Sequence, residues 1–295
     1  MKTERQQIAL ITGSSSGIGF ETSLLLARRR VFTYATMRNL SKSEEILGYA
    51  KKDNLPLKTL SLDVTNEESI SEAINKIIGE KSRIDILVNN AGYSLLGPLE
   101  QLHMNEIKEE FETNFFGVIK LIQYVLPIMR KQSYGRIINI SSLAGRIGFP
   151  LSSAYVSSKF ALEGLTESLG YEVQKFGIHV TLIEPGVIKT NFVNNMKLGK
   201  EVTAMQNRND NLTFNDDSPY TEITKKRISA FKPKFEKGSS PKVVAEKVLE
   251  AAVSDNPKAR YLVGKNAMKM MDRRKNASDE EFGRLVMNSV LGRVS

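Results

Sequence analysis

Short apolar runs rich in β-branched residues alternate with helical patterns along most of this chain. This alternation predicts a parallel sheet covered by helices on both faces, because a strand buried on both faces reads as a continuous apolar run. We predict seven strands, at residues 8–12, 31–37, 57–62, 84–88, 135–141, 178–183 and 260–263. The expected fold class is therefore α/β, with one doubly wound parallel sheet of seven strands.

Helical periodicity separates these runs. The predicted helices start near Gly17, Ser43, Asn66, His103, Ser153 and Pro241. Thr65 is followed three residues later by Glu68, the pattern of a capping box, which predicts that Thr65 caps the third helix. The alternation fails over residues 190–240, where we expect a loop-rich insert. No linker divides the chain, so we predict a single domain over residues 1–295, with a C-terminal helical extension at 264–295.

The side-chain inventory limits the chemistry that is available. The chain has no cysteine and only two histidines, which excludes disulfides, thiol catalysis and zinc sites built on thiolates. We interpret His103 as a helix-start residue and His179 as a sheet-entry residue, and we expect no metal. The reacting groups must then be hydroxyls, amines, amides or carboxylates.

Neither the N-terminal residues nor the most apolar stretch of the chain indicates a membrane segment. Residues 1–7 are charged and polar, with no apolar run of the signal-peptide kind behind them. The most apolar long stretch, residues 115–129, is interrupted by Lys120, Gln123 and Pro127 and falls short of the roughly 20 residues that span a bilayer. We therefore expect a buried helix there and a cytoplasmic protein.

The net charge of +9 is concentrated in two segments. Residues 221–242 carry a net charge of +5 and residues 265–275 a net charge of +4. This excess suits an anionic substrate, an acidic carrier protein or weak association with a membrane surface, but it is also typical of a solvated surface. Neither segment has the interleaved aromatic residues of a single-strand nucleic-acid groove, so we expect no nucleic-acid partner.

A glycine-rich turn follows the first predicted strand and opens a helix. It reads Thr12-Gly13-Ser14-Ser15-Ser16-Gly17-Ile18-Gly19. Its glycines permit a sharp turn, the close approach of a pyrophosphate to backbone amides, and tight packing of the helix on the strand. The spacing departs from the usual G-x-G-x-x-G, and plain loop geometry remains an alternative for this turn taken alone.

Four motifs, taken together and in this order, resemble those of the short-chain dehydrogenase/reductase family. They are the T-G-x-x-x-G-x-G turn, Asn89-Asn90-Ala91-Gly92, Tyr155-x-x-x-Lys159, and Pro185-Gly186 with Thr190 four residues on. The resemblance covers residues 6–190 and, more loosely, 241–263. The segment 94–100 is similar to the hydroxysteroid and retinol dehydrogenase branch. The resemblance implies a Rossmann fold that binds a nicotinamide dinucleotide.

The resemblance also implies which residues contact this cofactor. They are Gly13, Ser15, Ser16, Gly17, Ile18, Gly19, Arg38, Asp63, Val64, Asn90, Ala91, Gly92, Tyr155, Lys159, Pro185, Gly186, Val187 and Thr190. Two of these assignments have plainer alternatives, since Asp63 could equally close a turn and residues 185–190 could simply end a strand.

The choice of cofactor can be argued from charge. An acidic residue at the end of the second strand accepts a hydrogen bond from the ribose 2′-hydroxyl of NAD, whereas an arginine accommodates the 2′-phosphate of NADP. This chain has Met37 at the position where NAD-dependent members usually have aspartate, and Arg38 comes next. We therefore predict NADP(H), paired to Arg38 by charge-assisted hydrogen bonds. The alternative is an ordinary surface arginine.

A phenol and an amine continue the buried stripe of the helix that starts near Ser153. The stripe consists of Leu162, Leu165, Leu169, Val173 and Phe176. Lys159 and Tyr155 extend it by three and then four residues, and a buried lysine needs partners or a cleft. A cation one turn away should lower the pKa of Tyr155 and make it a usable acid or base. The plainer alternative is a snorkelling lysine beside a packed tyrosine.

Two further residues complete the catalytic set that the resemblance implies. Ser142, thirteen residues before Tyr155, would hold the substrate oxygen in preference to the adjacent Ser141. Asn114 would hold a water that links Lys159 to solvent. From the residues alone, Asn114 could instead be a core amide with its hydrogen bonds satisfied, and Ser142 could be a serine in a turn at the end of a strand. Asn114 falls within the expected buried face of its helix, which comprises Ile107, Phe111, Val118, Leu121 and Val125.

The expected reaction is hydride transfer between the nicotinamide and a carbonyl or secondary alcohol, with no metal. We expect a small-molecule substrate that is bulky and apolar, like a steroid, a retinoid or a lipid. Two alternatives stay open: reduction of 3-oxoacyl groups on an acidic carrier protein, and a non-catalytic NADPH-binding sensor or scaffold. The resemblance also implies a homodimer or homotetramer paired through the helices that bear Asn114 and Tyr155.

Overall fold

The computed structural model describes residues 5–190, 192, 196–206, 212–214 and 217–291. Within them, eleven strands occur: β1 Ile8–Ile11, β2 Phe32–Met37, β3 Leu57–Ser61, β4 Ile86–Asn89, β5 Leu95–Leu96, β6 Gly135–Ile140, β7 Ile178–Pro185, β8 Lys197–Leu198, β9 Thr203–Gln206, β10 Leu212–Phe214 and β11 Arg260–Val263. Seven of them form one sheet in the order β11-β7-β6-β4-β1-β2-β3, and every neighbouring pair in it is parallel. The predicted fold class is confirmed, and each predicted strand ends within two residues of the observed one.

The sheet is buried on both faces, as its continuous apolar strands predict. Along β1, Ile8 and Leu10 belong to one core cluster, whereas Ala9 and Ile11 belong to another on the opposite face. All four residues are at most 3% exposed. The period of two along a strand places alternate side chains in the two cores, so helices must cover both faces.

The described part of the chain contains ten α-helices. They are α1 Gly17–Arg28, α2 Glu44–Lys52, α3 Glu67–Lys81, α4 Met104–Phe111, α5 Gly117–Gln132, α6 Ser153–Val173, α7 Thr221–Glu236, α8 Pro241–Val253, α9 Lys265–Lys275 and α10 Asp279–Leu291. All six predicted helices are present at the predicted starts. Among the described residues, none of the helices combines enough length with enough apolar sequence to cross a bilayer.

The predicted capping box at α3 is wrong. Asn66 caps this helix, because its Oδ1 accepts a hydrogen bond of 2.8 Å from the backbone N–H of Ser69. The Thr65 hydroxyl is engaged elsewhere and donates to Asp63 Oδ1 at 2.7 Å. The carboxylate of Asp63 thus competes successfully for the hydroxyl that the sequence pattern assigned to the helix start.

The helix expected to run from His103 is broken by a π-helical turn at Glu112–Phe116, which separates α4 from α5. Before the break, Glu106 and Glu110 are buried, whereas Ile107 and Phe111 are only half-buried, contrary to the predicted face. Each acid accepts hydrogen bonds from backbone N–H groups: Glu106 from His103 at 3.0 Å and Lys200 at 3.1 Å, and Glu110 from Leu95 at 2.8 Å. These bonds offset part of the cost of burying a carboxyl group.

The segment 190–240 is more regular than the expected loop-rich insert. Residues 221–236 form α7, which packs on α10, and β9 pairs with β10 as an antiparallel hairpin. The helical period of α7 is hard to see in the sequence because basic residues interrupt it. Residues 191, 193–195, 207–211 and 215–216 of the insert lie outside the described residues.

The C-terminal extension is helical as predicted over α9 and α10, and its last residues, 292–295, lie outside the described part. Its buried side chains form one cluster with Leu143 and Ile147, which follow β6. The extension therefore covers the turn that carries Ser142.

The turn between β1 and α1 packs tightly on the segment after β4. Thr12 Oγ1 accepts hydrogen bonds of 3.0 Å from the backbone N–H groups of Asn90 and Ala91. The Asn90 amide nitrogen donates in return to the carbonyls of Thr12, at 2.9 Å, and Gly13, at 3.0 Å. A Cβ on Gly19 would lie only 2.4 Å from the carbonyl oxygen of Gly13. Only glycine fits at position 19.

Replacing the cap of α3 should destabilise the protein measurably. Asn66→Ala removes the acceptor for Ser69, and we expect the free energy of unfolding to fall by about 1 kcal/mol in urea titrations. Asn75→Ala, within the same helix, is the matched control and should be neutral or slightly stabilising, because alanine has the higher helix propensity. Equal effects of the two substitutions would show that Asn66 is not the cap.

A methyl group at position 19 should also be costly. In Gly19→Ala the new Cβ meets backbone that cannot move aside, so we expect the free energy of unfolding to fall by about 1–3 kcal/mol. The control is Gly48→Ala in α2, where a Cβ meets nothing within 4 Å and where alanine should stabilise the helix by up to about 1 kcal/mol. A wild-type unfolding curve for Gly19→Ala would contradict the close approach.

Candidate active site

A cleft of about 1220 Å³ opens at the carboxyl ends of the parallel strands. This is where open α/β sheets bind ligands. Most of the residues singled out from the sequence line it, namely Gly13, Ser15, Ser16, Gly17, Ile18, Arg38, Asp63, Val64, Asn90, Ala91, Gly92, Ser142, Tyr155, Lys159, Pro185, Gly186 and Thr190. The motifs, which are spread over more than 170 residues of sequence, therefore meet in one concave surface.

Three of the expected site residues do not line the cleft. Gly19 lies beneath the glycine-rich turn, against Gly13. Val187 is tied by its carbonyl oxygen to the backbone N–H of Ser239 at 3.0 Å. Asn114 lies behind Gly92, where a Cβ would come within 2.9 Å of its Oδ1.

Tyr155 and Lys159 lie together on the first turns of α6. The Lys159 side chain is buried, and its Nζ donates a hydrogen bond of 2.9 Å to the carbonyl oxygen of Ile140, the last residue of β6. The same nitrogen lies 5.9 Å from the centre of the Tyr155 ring. The Tyr155 hydroxyl is hydrogen-bonded to Ser142, and its ring faces that of Phe192 with the centres 6.0 Å apart.

The titration behaviour of this pair differs from the sequence expectation. Burial raises the pKa of Tyr155 to about 12, and the hydrogen bond with Ser142 opposes this rise only in part. Burial also lowers the pKa of Lys159 to about 8, because the ammonium loses water. The predicted lowering of the Tyr155 pKa by Lys159 is therefore wrong for this arrangement: the ammonium is directed at a backbone carbonyl, and burial of the phenol is the largest influence on its pKa.

The structure separates Ser142 from its neighbour Ser141. Ser142 bonds to Tyr155, and its Oγ also accepts a hydrogen bond of 3.1 Å from the backbone N–H of Ala144. Ser141 instead faces Glu163: a Cβ on Gly145 would lie 2.7 Å from Ser141 Oγ and 2.9 Å from Glu163 Cγ. Ser142 is thus both a strand-end turn serine and the partner of the phenol.

Asn114 is completely engaged with protein groups. Its amide nitrogen donates to the carbonyl of Tyr93 at 2.8 Å and to Ser158 Oγ at 3.2 Å, and its oxygen accepts from the backbone N–H of Tyr93 at 3.1 Å. These bonds match the interpretation as a satisfied core amide. They also fix the segment after β4 against α6, one residue from Lys159.

At the other end of the cleft, two cations follow β2. Met37 is buried, Arg38 is exposed directly after the strand, and both line the cleft together with Lys42. Sequence reasoning missed Lys42, although its spacing of four from Arg38 in a polar segment was a usable signal. Asp63 both lines the cleft and closes a turn, since its Oδ1 accepts from the Thr65 backbone N–H at 2.9 Å.

Sequence reasoning also missed two buried acids near Lys159. Glu163 lies one helical turn after Lys159, and Glu110 lies one turn before Asn114. Burial raises the pKa of each to about 7, and the nearby charge of Glu184 contributes to the rise at Glu163. Glu163 pairs with Arg260 at 3.2 Å. Glu163 is four residues after Lys159 and Glu110 is four residues before Asn114, so this spacing could have identified them.

Comparison with known proteins agrees with this geometry. The sequence profile of the family described as short chain dehydrogenase matches residues 7–201. The 3-ketodihydrosphingosine reductase of Bacteroides thetaiotaomicron is 36% identical over 88% of this chain and 88% of its own length. Human 17-beta-hydroxysteroid dehydrogenase type 1 is 35% identical over 86% of this chain and 76% of its own length.

The solved structure of ElxO with NADP bound superposes with a TM-score of 0.72 at 28% identity, covering 90% of this chain and 100% of that one. The family match extends over the glycine-rich turn, the asparagine motif and the Tyr155–Lys159 pair, so the resemblance inferred from the sequence is confirmed. The chain belongs to the short chain dehydrogenase family and is an oxidoreductase of that family.

Proposed function

We propose that this enzyme uses NADP(H) to interconvert a carbonyl and a secondary alcohol on a bulky, apolar small molecule. The observation that carries the proposal is the meeting of Ser142, Tyr155 and a buried Lys159 with a glycine-lined turn in one cleft. When bound, the cofactor supplies or accepts the hydride. The chain's own residues bind, orient and exchange the proton.

The residues of the cleft fit a dinucleotide. The turn before α1 leaves a backbone cradle that a side chain would fill, since a Cβ on Gly17 would lie 3.1 Å from Thr190 Cβ. The amides at the start of α1 face this cradle and suit a pyrophosphate. We assign the cofactor to the cleft-lining residues of the four motifs. Gly19 supports this site by packing on Gly13, and Val187 supports it through its backbone hydrogen bond with Ser239.

The proton step is assigned to Tyr155. With a pKa raised to about 12, its phenol remains protonated near neutral pH, which suits the delivery of a proton to a carbonyl oxygen during reduction. Ser142, bonded to the same phenol, would hold that oxygen and polarise the carbonyl. Lys159, with its pKa lowered to about 8, can lose and regain a proton near neutral pH and so restore the phenol. Asn114 would support the relay by fixing the segment next to Lys159.

The preference for NADP(H) is argued from charge. Arg38 and Lys42 place two cations in the cleft beyond β2, and no acidic side chain ends that strand. A 2′-phosphate is recognised by such groups, whereas a free 2′-hydroxyl is recognised by a carboxylate. The NADP-bound ElxO structure, which covers 90% of this chain, supports the same choice.

The substrate class is inferred from relatives and from the cleft wall. The two named relatives act, by their names, on a ketosphingoid base and a hydroxysteroid, and both cover more than four-fifths of this chain. Phe192, on the segment after β7, faces Tyr155 across the reacting end, and Ile188 also lines the cleft. A ketone with a large apolar body suits these surroundings.

We also propose that two copies of the chain associate through the helices that follow Asn114 and carry Tyr155. Phe116, directly before α5, and Phe160 in α6 are 42% and 46% exposed, and association through these helices would cover both apolar side chains.

The decisive experiment removes only the phenolic hydroxyl. Tyr155→Phe should reduce turnover by at least about 100-fold, because the proton donor is lost, while NADPH binding changes little. Activity is followed by NADPH absorbance against a panel of ketones, aldehydes, steroids and 3-oxoacyl thioesters, and binding by NADPH fluorescence. Tyr171→Phe is the control, since Tyr171 lies in the same helix and is 74% exposed. Turnover that survives in Tyr155→Phe would overturn the mechanism.

Cofactor choice is tested by reversing the charge beyond β2. Met37→Asp combined with Arg38→Leu should shift the ratio of kcat/KM for NADPH to that for NADH by about tenfold or more toward NADH, since a charge-assisted bond contributes about 1.5–3 kcal/mol. Arg29→Leu removes an exposed arginine outside the cleft and serves as the control. An unchanged ratio in the double variant would contradict the role of Arg38.

A further inference from the structure

Glu110 is a completely buried acid that the proposed proton step does not use. It lies in α4, one helical turn before Asn114, and is 0% exposed. Its Oε1 accepts a hydrogen bond of 2.8 Å from the backbone N–H of Leu95. Within the part of the chain that the structure describes, its Oε2 is buried with no hydrogen-bond partner. A buried carboxyl group with only one of its two oxygens hydrogen-bonded is costly to ionise.

The surroundings of Glu110 place it against the reacting end of α6. Ile107, one turn earlier, packs on the cluster that includes Leu95 and Ala154, the residue before Tyr155. Asn114, one turn later, bonds to Ser158, the residue before Lys159. Glu110 lies between these two contacts and therefore faces the turn of α6 that bears both Tyr155 and Lys159.

Charged and titratable groups face Glu110 from each neighbouring element. They are Tyr93 after β4, Tyr155 and Lys159 on α6, and Lys197 on β8, while Glu106 and Glu109 of its own helix act on Tyr93 as well. The negative charge of Glu110 raises the pKa of Lys159 and that of Tyr155. In return, Lys159 and Lys197 oppose the burial that raises the pKa of Glu110 to about 7.

We propose that Glu110 is a positioning residue with two tasks: its Oε1 fixes the Leu95 segment against α6, and its negative charge sets the pH range in which Tyr155 and Lys159 exchange protons. The inference rests on the proposed function of those two residues. It assigns a defined role to a buried acid that does not line the cleft.

The sign of the effect follows from the charges. The carboxylate stabilises the Lys159 ammonium and destabilises the Tyr155 phenolate, so removing the charge should lower both pKa values. Carbonyl reduction needs a protonated Lys159 to restore the phenol, so it should fall off at a lower pH without the charge. Alcohol oxidation needs a deprotonated Lys159 to take up the proton from the phenol, so it should begin at a lower pH. Both profiles therefore move in the same direction.

The test compares Glu110→Gln with the wild-type enzyme. Glutamine keeps an acceptor for the Leu95 N–H and a similar volume but removes the charge. We expect the pH profile of kcat to move toward lower pH by about one unit or more, because one charge at an effective dielectric of about 20 shifts a pKa by at least that much out to roughly 12 Å. KM should stay within about twofold of the wild-type value, because only a pKa has changed. Glu172→Gln, on an exposed position of α6, is the matched control and should leave the profile in place.

A second variant separates the two tasks. Glu110→Leu removes both the charge and the acceptor, so it should reproduce the pH shift and in addition raise KM, since the segment at Leu95 loses its anchor. A profile in Glu110→Gln that superposes on the wild-type profile, in an active enzyme, overturns the inference and leaves the proposed function intact.

A measurement that needs no activity tests the buried charge directly. The pKa of Glu110 is higher in the folded state, at about 7, than in the unfolded state. Such a carboxyl contributes stability below its unfolded pKa, and that contribution is lost as the pH rises through its folded pKa. The Tm of Glu110→Gln minus that of wild type should therefore increase from pH 5 to pH 8. A constant difference overturns the inference. If the wild type turns over no member of the substrate panel while the Tm differences follow the expected pattern, the proposed function is overturned instead.

Discussion

The burial of one amine organises the reacting end of this enzyme. Lys159 is 6% exposed, and its Nζ has a backbone carbonyl, that of Ile140, as its hydrogen-bond partner among the described residues. An ammonium in such a place is unstable unless negative charge or further acceptors lie near it. Carboxyl groups lie near Lys159, and the cleft beside it has polar walls. The residues that surround Lys159 can largely be understood as the means of keeping a titratable amine inside the protein.

Two glutamates provide that negative charge, and both have raised pKa values for the same reason that the Lys159 pKa is lowered. Glu110 approaches from α4 and Glu163 from the next turn of α6, and each is itself desolvated. Three groups with pKa values of about 7 to 8 thus lie together beside a phenol with a pKa of about 12. Such a set can redistribute protons near neutral pH, whereas the phenol stays protonated. The arrangement suits an enzyme that donates a proton to a carbonyl oxygen.

The dinucleotide end depends on close backbone packing instead of charge. Thr12 and Asn90 join the turns after β1 and β4 by hydrogen bonds in both directions, and Gly19 leaves room for the Gly13 carbonyl and the Asn90 side chain. The glycine-rich turn is therefore held in place by the protein itself, and such preorganisation lowers the entropy cost of binding the dinucleotide that we propose. The charged side chains Arg38 and Lys42 line the cleft beyond β2, at its rim.

Local patterns in the sequence determined the seven-stranded sheet, the helices that flank it and most of the residues singled out in the cleft. The strands read as continuous apolar runs, which indicates burial on both faces. Three of the four motifs fall at strand ends that a parallel sheet necessarily brings to one edge. Spacing by three and four along α6 was sufficient to place Tyr155 and Lys159 on one face.

Tertiary structure decided what depends on distance and on competition between partners. Asn66 caps α3 because Asp63, brought near by the turn, captures the Thr65 hydroxyl. Glu106 and Glu110 are buried in place of the more apolar Ile107 and Phe111, because backbone N–H groups from other segments need acceptors there. The pKa of Tyr155 rises where the sequence predicted a fall, since desolvation and the direction of an ammonium are properties of the folded environment and not of residue spacing.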